Sequence, residues 1–366
     1  MARMRHIFVL LYHLLLRRIF LLSVLLLSGC ASYYGQLASG QLSLLQSRQS
    51  IDTLIGDPGQ DAELRQRLAL LLKARAFASS NLGLPDNASY RQYADIQRSY
   101  VVWNVFATPE FSVEPLQHCF PIAGCVAYRG YFHQSAARAT AAELSLTGLD
   151  TLVAGVDAYS TLGWFADPVL SSMLRRNDEQ LAALVFHELA HQRLYLPGDT
   201  AFNESYASFV EQEGLREWQA LRGLPPPRAE RERAYRQLVE LVLATRERLR
   251  VLYASGQPEA IMRTNKQAEF MRLRQAYHRL RERDWKGQGY FDHWINQPLN
   301  NATLLPFGLY DGWTPAFARL FEQSGRNWPE FHAAVEKLAQ LTDSERNRQL
   351  QALMTEQGQQ TQTAGT

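Results

Sequence analysis

The chain is short of several things. Only 3 of its 366 residues are cysteine, and its formal net charge is +2. No acidic residue precedes Asp52, whereas Arg3, Arg5, Arg17 and Arg18 all fall before it. Taking those four arginines from the 38 basic residues leaves 34, against 36 acidic ones. So balanced a body lacks the basic stripe that nucleic acid requires, and no nucleic-acid partner is expected. There is no internal repeat. The apolar run Ile19 to Leu27 is too short to span a bilayer comfortably as a stable helix.

What the chain does have is Phe186-His187-Glu188-Leu189-Ala190-His191, an H-E-x-x-H motif, with Asn203-Glu204 downstream. Residues four apart on a helix lie about 40° apart around its axis, so His187 and His191 face the same way and can share one Zn²⁺. Glu188 sits beside them, placed to act as a base on water. Asn177 and Asp178 are candidate N-caps, and Leu181, Leu184, Val185 and Leu189 recur at helical spacing. Leu196-Pro197-Gly198-Asp199 stops that helix, and a second is predicted from about Asp199 or Thr200 to Leu221. His191 lies about one turn before the break and Glu204 about one turn after it, roughly 6–8 Å along each axis. A short loop brings those turns level, so Glu204 completes a His₂Glu zinc set with the fourth position left for water. No third histidine follows at x-x-G-x-x-H spacing, which excludes a metzincin.

The basic start, the short apolar run and Leu27-Ser28-Gly29-Cys30 together resemble a lipoprotein signal. The resemblance implies cleavage before Cys30, lipidation of Cys30 and, with Ala31 and Ser32 following, the periplasmic face of a bacterial outer membrane. Without the first 29 residues 337 remain, enough for one large core or two smaller ones. Cys119 and Cys125 are then an even pair in an oxidising compartment, flanking a segment whose Pro121 and Gly124 permit a tight return, and a disulfide is expected.

Residues 30–40 read as a tether, and Gln41–Leu54 and Ala62–Ser79 as helices. Val101–Ala107, Cys125–Phe132 and Thr151–Tyr159 read as strands, with Phe111–Pro115 extended and Ser135–Leu144 helical. The sheet leans antiparallel, and its edge strand can hold an extended peptide by backbone pairing. After Pro225-Pro226-Pro227, Arg228–Ala254 and Pro258–Trp285 form a charged helical hairpin with glutamate interleaved among the arginines. The tail from Gln357 is polar and low in complexity, and is expected to be disordered.

Several stretches together resemble a family of bacterial lipoproteins described as putative zinc aminopeptidases. They are the lipobox, Tyr33-Tyr34-Gly35-Gln36, Cys119 to Cys125, Tyr128-Arg129-Gly130-Tyr131-Phe132, His187 to His191, Asn203-Glu204-Ser205-Tyr206-Ala207 and Leu299-Asn300-Asn301-Ala302. The resemblance implies an α+β, mostly helical, zincin-like metallopeptidase domain over 41–356, with a small antiparallel sheet and an inserted hairpin at about 228–285. The G-x-M-E-N stretch usual in exopeptidases is absent; the nearest analogue is Gly155-Val156-Asp157-Ala158-Tyr159.

The expected chemistry is zinc-assisted hydrolysis of a peptide substrate, with Glu188 as general base. Tyr310 is the first candidate to stabilise the oxyanion, with Tyr206 and His293 as others. Asn203 either positions Glu204 or pairs with substrate backbone, and Glu211, on the same helix face as Glu204, is a candidate partner for a ligand imidazole. Three other readings remain: a zinc endopeptidase, a non-catalytic envelope lipoprotein with this fold, and a peptidoglycan or lipid hydrolase.

Overall fold

The structure, a computed structural model, describes residues 33–120, 124–226, 229–307 and 312–363. It divides into two compact units, one ending at Arg48 and the other running from Gln49. In the first, residues 33–46 form helix α1. The sequence suggested a tether as far as Gly40 and a helix over Gln41–Leu54. One glycine inside a helix costs only about 1 kcal/mol against alanine, so Gly40 does not stop it. The stop comes where Ser47 Oγ and Arg48 Nε donate to the carbonyls of Leu44 and Leu45. Strand β1 (Arg48–Ser50) begins on the last residue of this unit, and helix α2 (Ile51–Gly56) belongs to the second.

In the second unit, helix α3 (Ala62–Ser80) starts where the Asp61 carboxylate accepts the Leu64 N–H at 2.8 Å. Five strands come next: β2 (Gln92–Ala94), β3 (Val102–Pro109), β4 (His118–Phe120), β5 (Gly124–Val126) and β6 (Tyr128–Tyr131). Helix α4 (Gln134–Leu146) leads to β7 (Leu149–Val156) and the short β8 (Val169–Leu170). β3 is central and antiparallel to both neighbours, with Trp103 opposite Tyr131 of β6 and Val102 opposite Val156 of β7. Its residues Val102, Trp103, Val105, Phe106 and Ala107 are buried on both faces, which is why the strand reads as an apolar run interrupted only by half-buried Asn104. β7 forms one edge of this sheet and β6 the other. β2 and β8 pair in parallel, a small departure from the antiparallel expectation. β4 and β5 form a hairpin in which Cys119 faces Cys125 and the two are disulfide-bonded.

Helix α5 (Asp178–Arg193) carries the H-E-x-x-H motif and α6 (Thr200–Leu221) carries Asn203-Glu204. Asn177 caps α5 reciprocally with Gln180. α5 packs against α3 and α6, with Phe77 of α3 ringed by Phe186 and Trp218 at 5.9 and 5.1 Å. Gly214 permits that approach, because a β-carbon there would lie 2.6 Å from Leu82 Cδ1 and 3.1 Å from Phe186.

The hairpin expected from the sequence is α7 (Ala229–Tyr253) and α8 (Glu259–Arg283). It has its own core, built on Leu238, Val242, Leu249, Phe270, Leu273 and Tyr277. Buried Lys266 ties it to the sheet, donating to Asp150 of β7 at 2.6 Å and to the Glu110 carbonyl at 2.9 Å. The short α9 (Asp292–Ile295), then α10 (Thr314–Gln323), α11 (Trp328–Ala339) and α12 (Asp343–Thr363) complete the chain. α12 runs through the tail that composition marked as disordered. Gln357, Gln359, Gln360 and Gln362 are residues of good helix propensity, and polarity alone does not end a helix already begun. The architecture is α+β and mostly helical, with small antiparallel sheets. Among the described residues no helix is long and apolar enough to cross a membrane.

Candidate metal centre

α5 and α6 run from a shared turn, and Asn203 holds that turn closed. Its side chain accepts the Leu196 N–H and donates to the Leu196 carbonyl, both at 2.7 Å. Of the two roles open to Asn203, this geometry is the positioning one, since both its polar ends are spent on the turn. Glu204, the next residue, is thereby set opposite the two histidines.

His187 Nε2 lies 3.1 Å from His191 Nε2. Glu204 Oε2 lies 3.3 Å from the first and 3.6 Å from the second. A tetrahedral zinc with bonds of about 2.0–2.2 Å spaces its ligands about 3.3–3.6 Å apart; both Glu204 distances fall in that range and the His187–His191 distance of 3.1 Å lies just below it. The donor set also suits a borderline-soft divalent ion: two imidazoles and one carboxylate. Among the described residues this is the group found able to hold a metal ion.

The electrostatics agree with the geometry. Burial alone lowers the His187 pKa, but Glu204 and Glu211 outweigh it through hydrogen bonds and charge, and raise it well above the ordinary imidazole range. Burial raises the Glu204 pKa, yet the hydrogen bonds from His187 and His191 prevail and hold it far below the usual carboxylate range. Surroundings that draw a proton onto a buried ring this strongly equally favour a cation between the rings. Glu211 Oε2 accepts from His187 Nδ1 at 3.0 Å, fixing the ring so that Nε2 faces the other donors. His191 Nδ1 is buried and has no hydrogen-bond partner among the described residues.

Glu188 points into the same cleft, a cavity of about 1720 Å³ lined also by His187, Glu204 and Glu211. Its carboxylate makes no hydrogen bond among the described residues. Burial is the largest influence on its carboxyl and raises the pKa; His187 and His191 pull the other way, while Glu204 and Asp167 add to the rise. Val156, Asp157 and Ala158, at the end of edge strand β7, form one wall of the cleft, and Tyr235, Tyr290 and Phe291 contribute another.

Other candidates fall elsewhere. Tyr206 is fully buried and its hydroxyl meets His332 Nδ1 at 3.0 Å, so it does not face the cleft. An apolar helix face in the sequence did not say which side the aromatic would take. His293 lies on α9 with Nε2 against Gln297 at 2.9 Å, and it does not line the cleft. Tyr310 and Cys30 lie outside the described residues. Asp157, the acid nearest in place to the exopeptidase motif, is bound by Arg176 in a two-pronged ion pair at 2.8 and 3.1 Å. Sequence reasoning did not single out Arg176, because an arginine just before a helix cap carries no pattern of its own.

A family model described as Putative aminopeptidase matches residues 32–350. The chain belongs to that family. The match spans both the cleft and the hairpin, so the family description refers to the same body that carries the His₂Glu group. No curated protein and no solved structure matches the chain.

Proposed function

We propose that this member of the family is a zinc-dependent peptidase acting on the amino-terminal end of peptides. The observation that carries the reading is the pairing of a three-donor cage with an uncommitted carboxylate. His187, His191 and Glu204 would hold the ion, and Glu188 beside them has no structural bond to maintain. A structural zinc site generally closes with a fourth protein ligand; three donors opening on a cleft is the catalytic pattern.

Bound zinc would supply Lewis acidity for the carbonyl and lower the pKa of its water. The remaining work falls to the chain. Glu188 takes the proton of the attacking water and passes it to the leaving amine. Glu211 keeps the His187 ring oriented, and Asn203 keeps Glu204 opposite it. The edge of β7 is available to pair with an extended peptide, and its last residues already line the cleft.

A second reading, an endopeptidase, draws on Asp157. An exopeptidase needs an acid free to meet the substrate ammonium, and this one is neutralised by Arg176. Paired peptides, one with a free amino terminus and one acetylated, separate the two. The proposal expects the free peptide to be cut and the acetylated one spared. Equal cleavage would leave the peptidase and remove the exopeptidase.

We further propose that the protein is lipid-anchored through Cys30 at the periplasmic face of the outer membrane. The support is the sequence Leu27-Ser28-Gly29-Cys30 after an apolar run. Cell fractionation of Cys30→Ser should find the variant outside the membrane fraction; a distribution like the wild type would contradict lipidation.

A further inference from the structure

Arg176 is held unusually firmly for a residue in a connecting turn. Arg67 of α3 reaches across to the backbone carbonyls of Leu174 and Arg176 and pairs with Asp178 at 3.1 Å. This fixes the chain on either side of Arg176. The side chain then turns to the end of β7, where Nε and Nη2 donate to the two oxygens of Asp157. Asp157 is itself fixed, since its backbone carbonyl accepts Ser172 Oγ at 2.6 Å. Two of the three guanidinium nitrogens face structure on one flank. The third, Nη1, has no partner among the described residues, and the side chain is 36% exposed. Arg176 and Asp157 both line the cleft that holds Glu188.

Glu188 and Glu211 act on Arg176 through charge but neither hydrogen-bonds it, so Nη1 is open to a molecule that enters the cleft. A substrate carboxylate is a poor match. Asp157 already neutralises the arginine, and Glu188, Glu204 and Glu211 stand in the same cavity. A neutral acceptor suits it better. A peptide laid along β7 presents backbone carbonyls at the end of the strand, where Asp157 holds Arg176.

We propose that Arg176 is a specificity-determining residue of the cleft: Nη1 donates to a backbone carbonyl oxygen of the bound peptide, with Asp157 as the brace that aims it. The proposal rests on the peptidase reading above and adds a substrate contact to it. It means that the cleft recognises peptide backbone rather than a free carboxyl terminus, and that peptide amides and acids bind alike.

The test uses the full protein carrying Glu188→Gln and loaded with zinc, so that bound peptide is not consumed. The probe is the pentapeptide Ala-Leu-Phe-Ala-Ala, as the acid and as the amide, with binding read by calorimetry. Adding Arg176→Ala should weaken both forms about 10–100-fold, the size of one charge-assisted hydrogen bond. Zinc content should not change, and millimolar guanidinium should restore part of the lost affinity, which a merely structural role would not allow. Arg176→Lys keeps the charge without the fork and should fall between the two; it keeps the test open if the alanine variant folds poorly. Unchanged affinity in both variants overturns the proposal. A loss confined to the acid form also overturns it, since Arg176 would then read the carboxyl terminus. No binding to the parent Glu188→Gln protein would count against the peptidase reading itself, and this proposal would fall with it.

Discussion

Four carboxylates stand in the cleft close to the metal centre or on its wall, and their partners separate their roles. Glu204 completes the donor set, Glu211 holds a ring, Asp157 braces an arginine, and Glu188 is uncommitted. Glu188→Gln is nearly isosteric and leaves all three donors in place. The variant should bind zinc as the wild type does and lose about 10²–10⁴-fold in turnover, the usual worth of a general base. Zinc analysis paired with a peptide-cleavage assay reads both quantities. Loss of zinc would instead make Glu188 a support for the site. Much at this scale was legible in the sequence. The i, i+4 histidines and Glu204 could be placed from helix geometry and one short turn. The role of Asn203 was left between two options, because a side-chain amide can serve its own backbone or a ligand equally well. Tyr206 shows the limit: spacing places a residue on a helix but does not say whether its hydroxyl finds water, substrate or, as here, a buried histidine.

At the scale of elements, the centre depends on one turn, Leu194–Asp199, which sets α6 against α5. Asn203 closes it from within, and buried Arg346 of α12 pairs with its last residue, Asp199, at 2.7 Å. The disulfide-bonded hairpin presses on it from outside. A β-carbon at Gly124 would lie 2.6 Å from the Gly198 nitrogen and 3.1 Å from its α-carbon, and Gly124 has φ +73°, where a side chain is strained. Gly124→Ala should therefore cost about 1–3 kcal/mol in urea unfolding and also weaken zinc binding, because the turn that places Glu204 must yield. Wild-type stability together with wild-type zinc affinity would show that the hairpin does not support the centre. The helices themselves were legible. Periodicity and caps placed α5, α6, α7 and α8 nearly to the residue, since each carries its own apolar stripe and its own stop. The contact of β5 with the α5–α6 turn was not, because it joins segments over seventy positions apart through two glycines with no side chains to pattern.

For the molecule as a whole, the walls of the cleft come from α3, the end of β7, α5, α6, the start of α7 and the aromatic residues Tyr290 and Phe291, so segments far apart in sequence contribute to one cavity. The family match over residues 32–350 includes every one of these walls. Composition leads to the expectation of an exported chain with no nucleic-acid partner, and at both ends of the described body the structure has helix where composition suggests none. α1 begins where a tether was expected and α12 continues where disorder was expected, because helix propensity survives in polar sequence with no packing signal to reveal it. The central claim is that one zinc, held by His187, His191 and Glu204, makes this cleft a peptidase. It is tested most directly by stripping the protein with chelator and titrating zinc back while following cleavage of an unblocked peptide. The account predicts no cleavage without metal and a linear rise that breaks at one zinc per chain, with no rise in a His187→Ala, His191→Ala double variant. Full turnover in the stripped protein, or the same zinc-dependent rise in the double variant, would contradict it.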